Sequence, residues 1–372
     1  MDRYRLAVIP GDGVGPEVTD AGRGILDATA EVFGFGLEWT EVAAGGTAID
    51  RYGVAIRPED VALCGEHDAV LLGAVGGPRW DNPKAAVRPE QALFALRGTL
   101  DLFANLRPVR VYPELIASSP LRPELLAGVD LLIVRELAGG IYFGQRTEPS
   151  GEAGERTASD TLPYTEAEVR RIVRLGFELA QGRRRRLTSV DKANVMASSR
   201  LWRLVVDDLR QDYPDVEVNH QLVDSAAMLL IRRPADFDVI VTENLFGDIL
   251  SDEAAVLAGS LGMLPSASLG TRQTQHGTFG LYEPIHGSAP DIAGQDRANP
   301  LGTILSAAML LRWSLGRGDA ADAIESAVAA VLTEGHRTAD LGAPAESSSR
   351  VGTRAMGELV ASKIGTFAEV LA

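Results

Sequence analysis

Cysteine is almost absent from this chain. The single Cys64 excludes an intramolecular disulfide and suits a reducing compartment; set in an apolar helical stretch, it reads as a packing residue. Positive charge is also scarce: 36 Lys and Arg against 51 Asp and Glu leave a net charge of −15, which argues against nucleic acid or an anionic membrane as a partner. Any anionic substrate must then be held by locally placed cations. Long apolar runs are missing as well. None reaches the roughly 18 residues that would cross a bilayer, and Met1 to Arg5 lead straight into a strand without a secretory signal pattern. No phosphate-cradling G-x-x-x-x-G-K-[ST] loop occurs, which weighs against phosphoryl transfer. The expectation is a cytoplasmic protein with no membrane or nucleic-acid partner.

What the chain does have is volume and alternation. Its 372 residues, 45% hydrophobic and 23% charged, suffice for two domains with sizeable cores. Strand-like runs recur at Leu6 to Ile9, Leu37 to Val42, Ala69 to Leu72, Leu102 to Val111, Leu131 to Val134, Leu187 to Val190, Val216 to Val218 and Phe237 to Val241, with helical periodicity between most of them. This predicts an α/β architecture of largely parallel, covered strands. After Asp291 the pattern turns helical, with candidates at Leu301 to Leu315, Asp319 to Leu332 and Val351 to Val370. The first strand runs into Gly11-Asp12-Gly13-Val14-Gly15-Pro16, one residue short of the dinucleotide fingerprint. The residues favour a tight glycine turn that lets a ligand approach backbone over a standard nucleotide loop. From Gly139 to Asp160 the pattern breaks, giving either a disordered loop or an arm that packs on a partner. Arg183 to Arg186 follow a helix ending near Gln181 and read as a solvated basic cap.

Chemistry concentrates in a few places. Asp248 and Asp252, in Asn244-Leu245-Phe246-Gly247-Asp248-Ile249-Leu250-Ser251-Asp252, stand four apart after the buried run Phe237 to Val241. On a helix they share a face, as a solvated acidic stripe or as oxygen ligands of Mg²⁺ or Mn²⁺. Three arginines lie in or beside apolar elements: Arg97 on a helical face with Glu90, Leu93 and Phe94, Arg107 in one strand, and Arg135 at the end of another. Singly each reads as a structural ion pair; together they suit a dicarboxylate, which the guanidinium fork matches. Tyr142 and Lys192 can move protons. Lys192 ends a buried strand, where desolvation lowers an ammonium pKa, or where it simply partners Asp191 or another acid.

The segments GDGVGPEV (11–18), LGAVGGPRW (72–80), DLFANLRP (101–108), VRELAGGIYFG (134–144), VDKANV (190–195), VTENLFGDILSD (241–252) and EPIHGSAPDIAGQDRANP (283–300) resemble, in order, the 3-isopropylmalate dehydrogenases of the isocitrate/isopropylmalate dehydrogenase family. The resemblance implies that family's fold: two α/β domains sharing a continuous central sheet, not a standard Rossmann fold. Residues 1–102 with 259–372 would form the larger, nucleotide-binding domain, and 103–258 the smaller one with a dimer interface and arm. It places substrate contacts on Arg97, Arg107, Arg135, Asp224, Glu90, Leu93 and Phe94, proton transfer on Tyr142 and Lys192, and metal ligands on Asp224, Asp248 and Asp252. Cofactor contacts fall on His286, Gly287, Ser288, Ala289, Pro290, Asp291, Ile292, Asn299, Glu283, Gly76 and Gly77. Lys192 and Asp224 would come from the second subunit of a homodimer. Asp291 can accept from both ribose hydroxyls and would repel a 2′-phosphate, so NAD is expected over NADP. The implied reaction is oxidative decarboxylation of (2R,3S)-3-isopropylmalate, in leucine biosynthesis. D-malate, tartrate and homoisocitrate are the alternative substrates. Isocitrate relatives carry Ser and Asn six and four residues before the first arginine, where this chain has Gln91 and Leu93.

Overall fold

The computed structural model describes residues 2–80, 82, 85–342 and 349–371. The chain divides into two compact units, the first of Met1–Leu102, Val111–Pro120 and Ala258–Ala372, the second of Phe103–Arg110 and Leu121–Leu257. Residues 111–120 were expected with the second set and instead belong to the first. Arg337 Nη2 donates to Glu114 O at 3.1 Å, Thr333 Oγ1 to Glu114 Oε1 at 2.9 Å, and Ser118 Oγ to Leu341 O at 2.7 Å.

In chain order the strands among the described residues are β1 (Arg3–Gly11), β2 (Gly36–Glu41), β3 (Ala69–Ala74), β4 (Leu102–Arg110), β5 (Asp130–Glu136), β6 (Arg146–Ser150), β7 (Thr157–Asp160), β8 (Arg186–Asp191), β9 (Glu217–Leu222), β10 (Val239–Thr242), β11 (Pro265–Gln273), β12 (Thr278–Pro284), β13 (His336–Arg337) and β14 (Ser349–Arg350). The helices are α1 (Gly15–Phe33), α2 (Gly46–Tyr52), α3 (Pro58–Gly65), α4 (Gln91–Thr99), α5 (Pro123–Leu126), α6 (Glu166–Gln181), α7 (Ala197–Leu209), α8 (Val223–Arg232), α9 (Asn244–Ala255), α10 (Leu301–Trp313), α11 (Gly318–Thr333) and α12 (Thr353–Leu371). No helix among the described residues is long and apolar enough to cross a membrane.

The first unit orders its strands β2-β1-β3-β12-β11, parallel except for the β11/β12 pair. All six residues of β3 are buried, as its uninterrupted apolar sequence requires of a covered strand. Its Val70 and Leu72 pack with Ile9, Leu96, Phe279 and Leu281 in one core cluster, which also holds Cys64. The second unit orders β4-β5-β10-β8-β9, with only the β4/β5 pair antiparallel. Helix α6 starts on a capping box, Thr165 and Glu168 each satisfying the other's backbone N–H. Its apolar stripe, Val169, Ile172, Val173 and Phe177, is buried.

Three sequence expectations gain detail. The chain itself packs on the glycine turn: Gly13, at φ 60°, lies so close to Ser288 that a Cβ would stand 2.0 Å from that residue's carbonyl oxygen. The arginine run is a solvated cap at Arg184, Arg185 and Arg186, which are exposed, but not at Arg183. Arg183 donates to the fully buried Asp238 at 2.8 Å and to Asp130 at 2.7 Å, so it neutralises a buried carboxylate. The interval after Gly139 contains an ordered antiparallel hairpin, β6 with β7, whose residues are all exposed.

Candidate active site

In the second unit, buried β10 leads into α9. Glu243 caps that helix, its carboxylate accepting from Leu245 N and Phe246 N at 3.0 Å each. Asp248 and Asp252 then fall one turn apart, with side chains 37% and 67% exposed. Two guanidiniums offset their mutual repulsion. Arg135, at the end of β5 and buried itself, donates through Nη1 to Asp248 Oδ1. Its Nε and Nη2 donate to Asn244 Oδ1 at 3.2 and 2.8 Å. Arg107, on β4, donates to Asp252 Oδ1 at 3.3 Å and Ser251 Oγ at 2.7 Å, while its Nε donates to Asn105 Oδ1 at 2.7 Å. Tyr142, on the loop after β5, donates its hydroxyl to Asp248 Oδ2 at 2.9 Å. Burial, and then the carboxylate it faces, raise the phenol pKa above its ordinary value. The hydroxyl therefore keeps its proton at neutral pH.

Lys192 follows β8, as its sequence position suggested, and it partners an acid. Its Nζ pairs with Asp224 Oδ1 of α8 at 2.5 Å. The ammonium in turn holds the Asp224 carboxyl below the usual carboxylate range. Asp191, the nearer candidate partner, is taken by Arg203, which donates to both of its oxygens at 2.9 Å. Among the described residues no three His, Cys, Asp or Glu side chains come together as a metal site. One chain thus brings Asp248 and Asp252 onto one face without adding Asp224. Two carboxylates with no nitrogen or sulfur donor fit a hard cation, which keeps its other positions for water or substrate.

In the first unit, Glu90 stands at the N-cap position of α4 without a side-chain capping hydrogen bond, and Arg97 lies in the helix's last turn. Arg97 Nη2 donates to Glu283 Oε1 at 2.7 Å, while its Nε is buried with no hydrogen-bond partner among the described residues. Leu93 packs half-buried on the core, and Phe94 is 53% exposed. Gly77, Trp80, Arg88, Glu90 and Pro290 line a cavity of about 400 Å³. Gly76 N donates to Asp12 at 2.9 Å.

The segment from His286 to Ile292 is pinned to the glycine turn by Val14 N donating to Ser288 O at 2.7 Å. His286 Nδ1 lies 2.9 Å from Gly287 O, and its Nε2 is buried without a partner among the described residues. Burial lowers the imidazole pKa, so the ring is neutral at pH 7. Gly287 faces open space where a side chain would stand, Asp291 is exposed, and Ala289 adopts φ 36°. Asn299 accepts from Leu301 N and donates to Asp340 Oδ2, both at 3.0 Å. An orphaned ring nitrogen beside an open glycine backbone fits a nucleotide that supplies the missing partner.

Sequence reasoning missed the residues that hold these groups. Asn244, Asn105 and Ser251 orient the arginines, and Asp12 accepts from Gly46 N, Thr47 N and Gly76 N at 2.7, 2.9 and 2.9 Å. The available signal was Asn105, a polar side chain inside the otherwise apolar run Leu102 to Leu106.

Residues 5–360 match the family model described as isocitrate/isopropylmalate dehydrogenase. A protein named 3-isopropylmalate dehydrogenase from Anaeromyxobacter dehalogenans is 56% identical over 360 residues, covering 97% of this chain and 99% of its own. One of the same name from Symbiobacterium thermophilum is 56% identical over 367 residues, covering 97% and 98%. The crystal structure of isocitrate dehydrogenase from Methylococcus capsulatus matches with a TM-score of 0.83 at 32% identity, covering 97% of this chain and 99% of that one. The β-decarboxylating dehydrogenase of Thermococcus kodakarensis matches with a TM-score of 0.76 at 35% identity, covering 97% and 96%.

Proposed function

This chain belongs to the isocitrate/isopropylmalate dehydrogenase family, and we propose that it catalyses the NAD-dependent oxidative decarboxylation of (2R,3S)-3-isopropylmalate to 4-methyl-2-oxopentanoate and CO₂, in leucine biosynthesis. The observation that carries the reading is the contact chain Tyr142–Asp248–Arg135. It puts a protonated phenol, a metal-capable carboxylate and a carboxylate-binding guanidinium in sequence. The names of the two bacterial relatives support the substrate.

In this reading Arg107 and Arg135 bind substrate carboxylate. Arg97, whose Nε has no hydrogen-bond partner among the described residues, has the same task. The partner subunit's Lys192, as the free amine, takes the C2 hydroxyl proton, directly or through water, as hydride leaves C2. The bond from C3 to its carboxylate then breaks, its electron pair forms the enol, and Tyr142 delivers a proton to C3. When bound, Mg²⁺ or Mn²⁺ on Asp248, Asp252 and the partner subunit's Asp224 supplies Lewis acidity at the substrate oxygens, and NAD⁺ on the 286–292 segment supplies the hydride acceptor. A homodimer follows from the same proposal, supported by the lack of a three-carboxylate cluster among the described residues of one chain. A cytoplasmic setting is consistent with one buried thiol and no disulfide.

Substrate choice rests on α4. Gln91 is tied to its own loop, donating to Ala86 O at 3.1 Å and accepting from Arg88 N at 3.2 Å, so it does not offer itself to a third carboxylate. Leu93 and Phe94 suit a branched alkyl group and leave a charge there unpaired. NADH formation with 3-isopropylmalate, isocitrate, D-malate, tartrate and homoisocitrate, with and without chelator, tests the proposal. The expected result is a chelator-sensitive preference for 3-isopropylmalate; greater activity on isocitrate overturns it.

A further inference from the structure

Asn244 closes a ring of contacts within the second unit. Its side-chain oxygen accepts from Arg135 Nε and Nη2 at 3.2 and 2.8 Å, and its side-chain nitrogen donates to Gly139 O at 3.1 Å. Arg135 continues to Asp248 Oδ1, and Asp248 Oδ2 accepts from Tyr142. Tyr142 returns along the backbone to Gly139. Asn244 is 1% exposed, and its own backbone N donates to Tyr164 Oη at 3.1 Å.

The chemistry of the neighbours admits one orientation of the carboxamide. A guanidinium has only donors and a peptide carbonyl only lone pairs, so the oxygen must face Arg135 and the nitrogen Gly139. Aspartate has the size but no donor. Serine and alanine reach neither partner. Both groups are buried, so neither link is replaced by water without cost.

We propose that Asn244 is a positioning residue that sets the separation between the carboxylate-binding guanidinium of Arg135 and the proton-donating hydroxyl of Tyr142. It touches no reacting atom. It acts by clamping the Tyr142 loop, through Gly139, to the arginine that the substrate would meet. This rests on the reading of Tyr142 and Arg135 given above, while the clamp itself is a statement about the ligand-free protein.

The two halves of the amide can be separated. Asn244→Asp keeps an acceptor for Arg135 and loses the donor to Gly139; Asn244→Ala loses both. Backbone hydrogen exchange of the 138–144 segment in the ligand-free protein reads the clamp without any assumption about substrate. The expected result is exchange faster by about ten-fold or more in that segment for both variants, with the rest of the second unit unchanged. In the NADH assay, Asn244→Asp is expected to lower kcat about ten-fold or more with KM within about three-fold, and Asn244→Ala to lower kcat and raise KM together. Wild-type exchange at 138–144 in both variants overturns the clamp, as does a uniform rise across the unit with kcat and KM falling out of step with it. If wild-type protein shows no activity on 3-isopropylmalate, the substrate assignment fails while the exchange result still decides the clamp.

Discussion

Gly247 lies inside α9, between Asn244 and Asp248, with no left-handed backbone angle to excuse it. Helix propensity alone predicts that Gly247→Ala stabilises the protein by about 0.5–1 kcal/mol. The structure reverses the sign. A Cβ at this position would stand 2.5 Å from Arg135 Cγ and 2.8 Å from Arg135 Cβ. These are the stem atoms nearest the backbone, so no rotation of the distal side chain relieves the overlap, and either α9 or the arginine must move. Overpacking of this kind costs about 1–3 kcal/mol, more than the propensity gain, and a net loss of roughly 1 kcal/mol is expected when the two opposing terms are combined. The displaced guanidinium also loses its alignment with Asn244 and Asp248. A shift on the order of 1 Å in a positioned group lowers turnover by about 10²-fold. Urea unfolding at constant m, together with steady-state kinetics on 3-isopropylmalate, measures both effects. A Gly247→Ala protein that is more stable than wild type with unchanged KM and kcat would refute the placement of the Arg135 stem.

Tyr142→Phe should lower kcat by about 10²–10⁴-fold while leaving the melting temperature nearly unchanged, because the side chain is partly exposed; a decarboxylation rate equal to wild type removes Tyr142 from the proton path. Asp224→Asn and Asp248→Asn proteins, each inactive alone, should regain partial activity when their subunits are exchanged. Continued inactivity despite exchange demonstrated by mass spectrometry counts against a shared site. Burial pushes the Cys64 thiol up to about 12 from 9.0. A raised folded-state pKa makes its stabilisation complete below the unfolded value and progressively lost as pH climbs from 9.0 towards about 12. Wild-type stability should therefore fall relative to Cys64→Ala across that window, and parallel curves would contradict the burial argument.

Asp248 and Asp252 were legible because two carboxylates four apart on a helix have one geometric outcome, and Arg135 because its strand is apolar on both sides. The covered strands β3 and β10 were legible for the same reason, their runs being uninterrupted. The β11/β12 pair was not: Pro265–Gln273 is rich in Ser, Gly and Thr, and its six buried residues come from tertiary cover rather than from apolar content. Lys192 ends its strand as expected, yet its partner Asp224 is 32 positions away on another helix, a pairing no local pattern encodes. Asn244 and Gly247 carry no signal of their own in the run 244–252. Their roles belong to Arg135, more than 100 positions earlier, and become visible only when the two segments are side by side.

The first unit's strand order has a consequence for how the chain is made. β12 lies between β3 and β11, so the apolar edge of β3 stays open until residues 278–284 have left the ribosome. At about 5–20 residues per second, the roughly 200 residues in between occupy about 10–40 s. The second unit, apart from 103–110, is contiguous in 121–257 and can complete during that interval. Synthesis thus runs inside out, the middle of the chain folding while its beginning waits for its end. The waiting edge, Ala69–Ala74, is an uncharged β-forming segment of the kind that pairs with other chains. Nascent protein halted before residue 278 would be the species most in need of a chaperone.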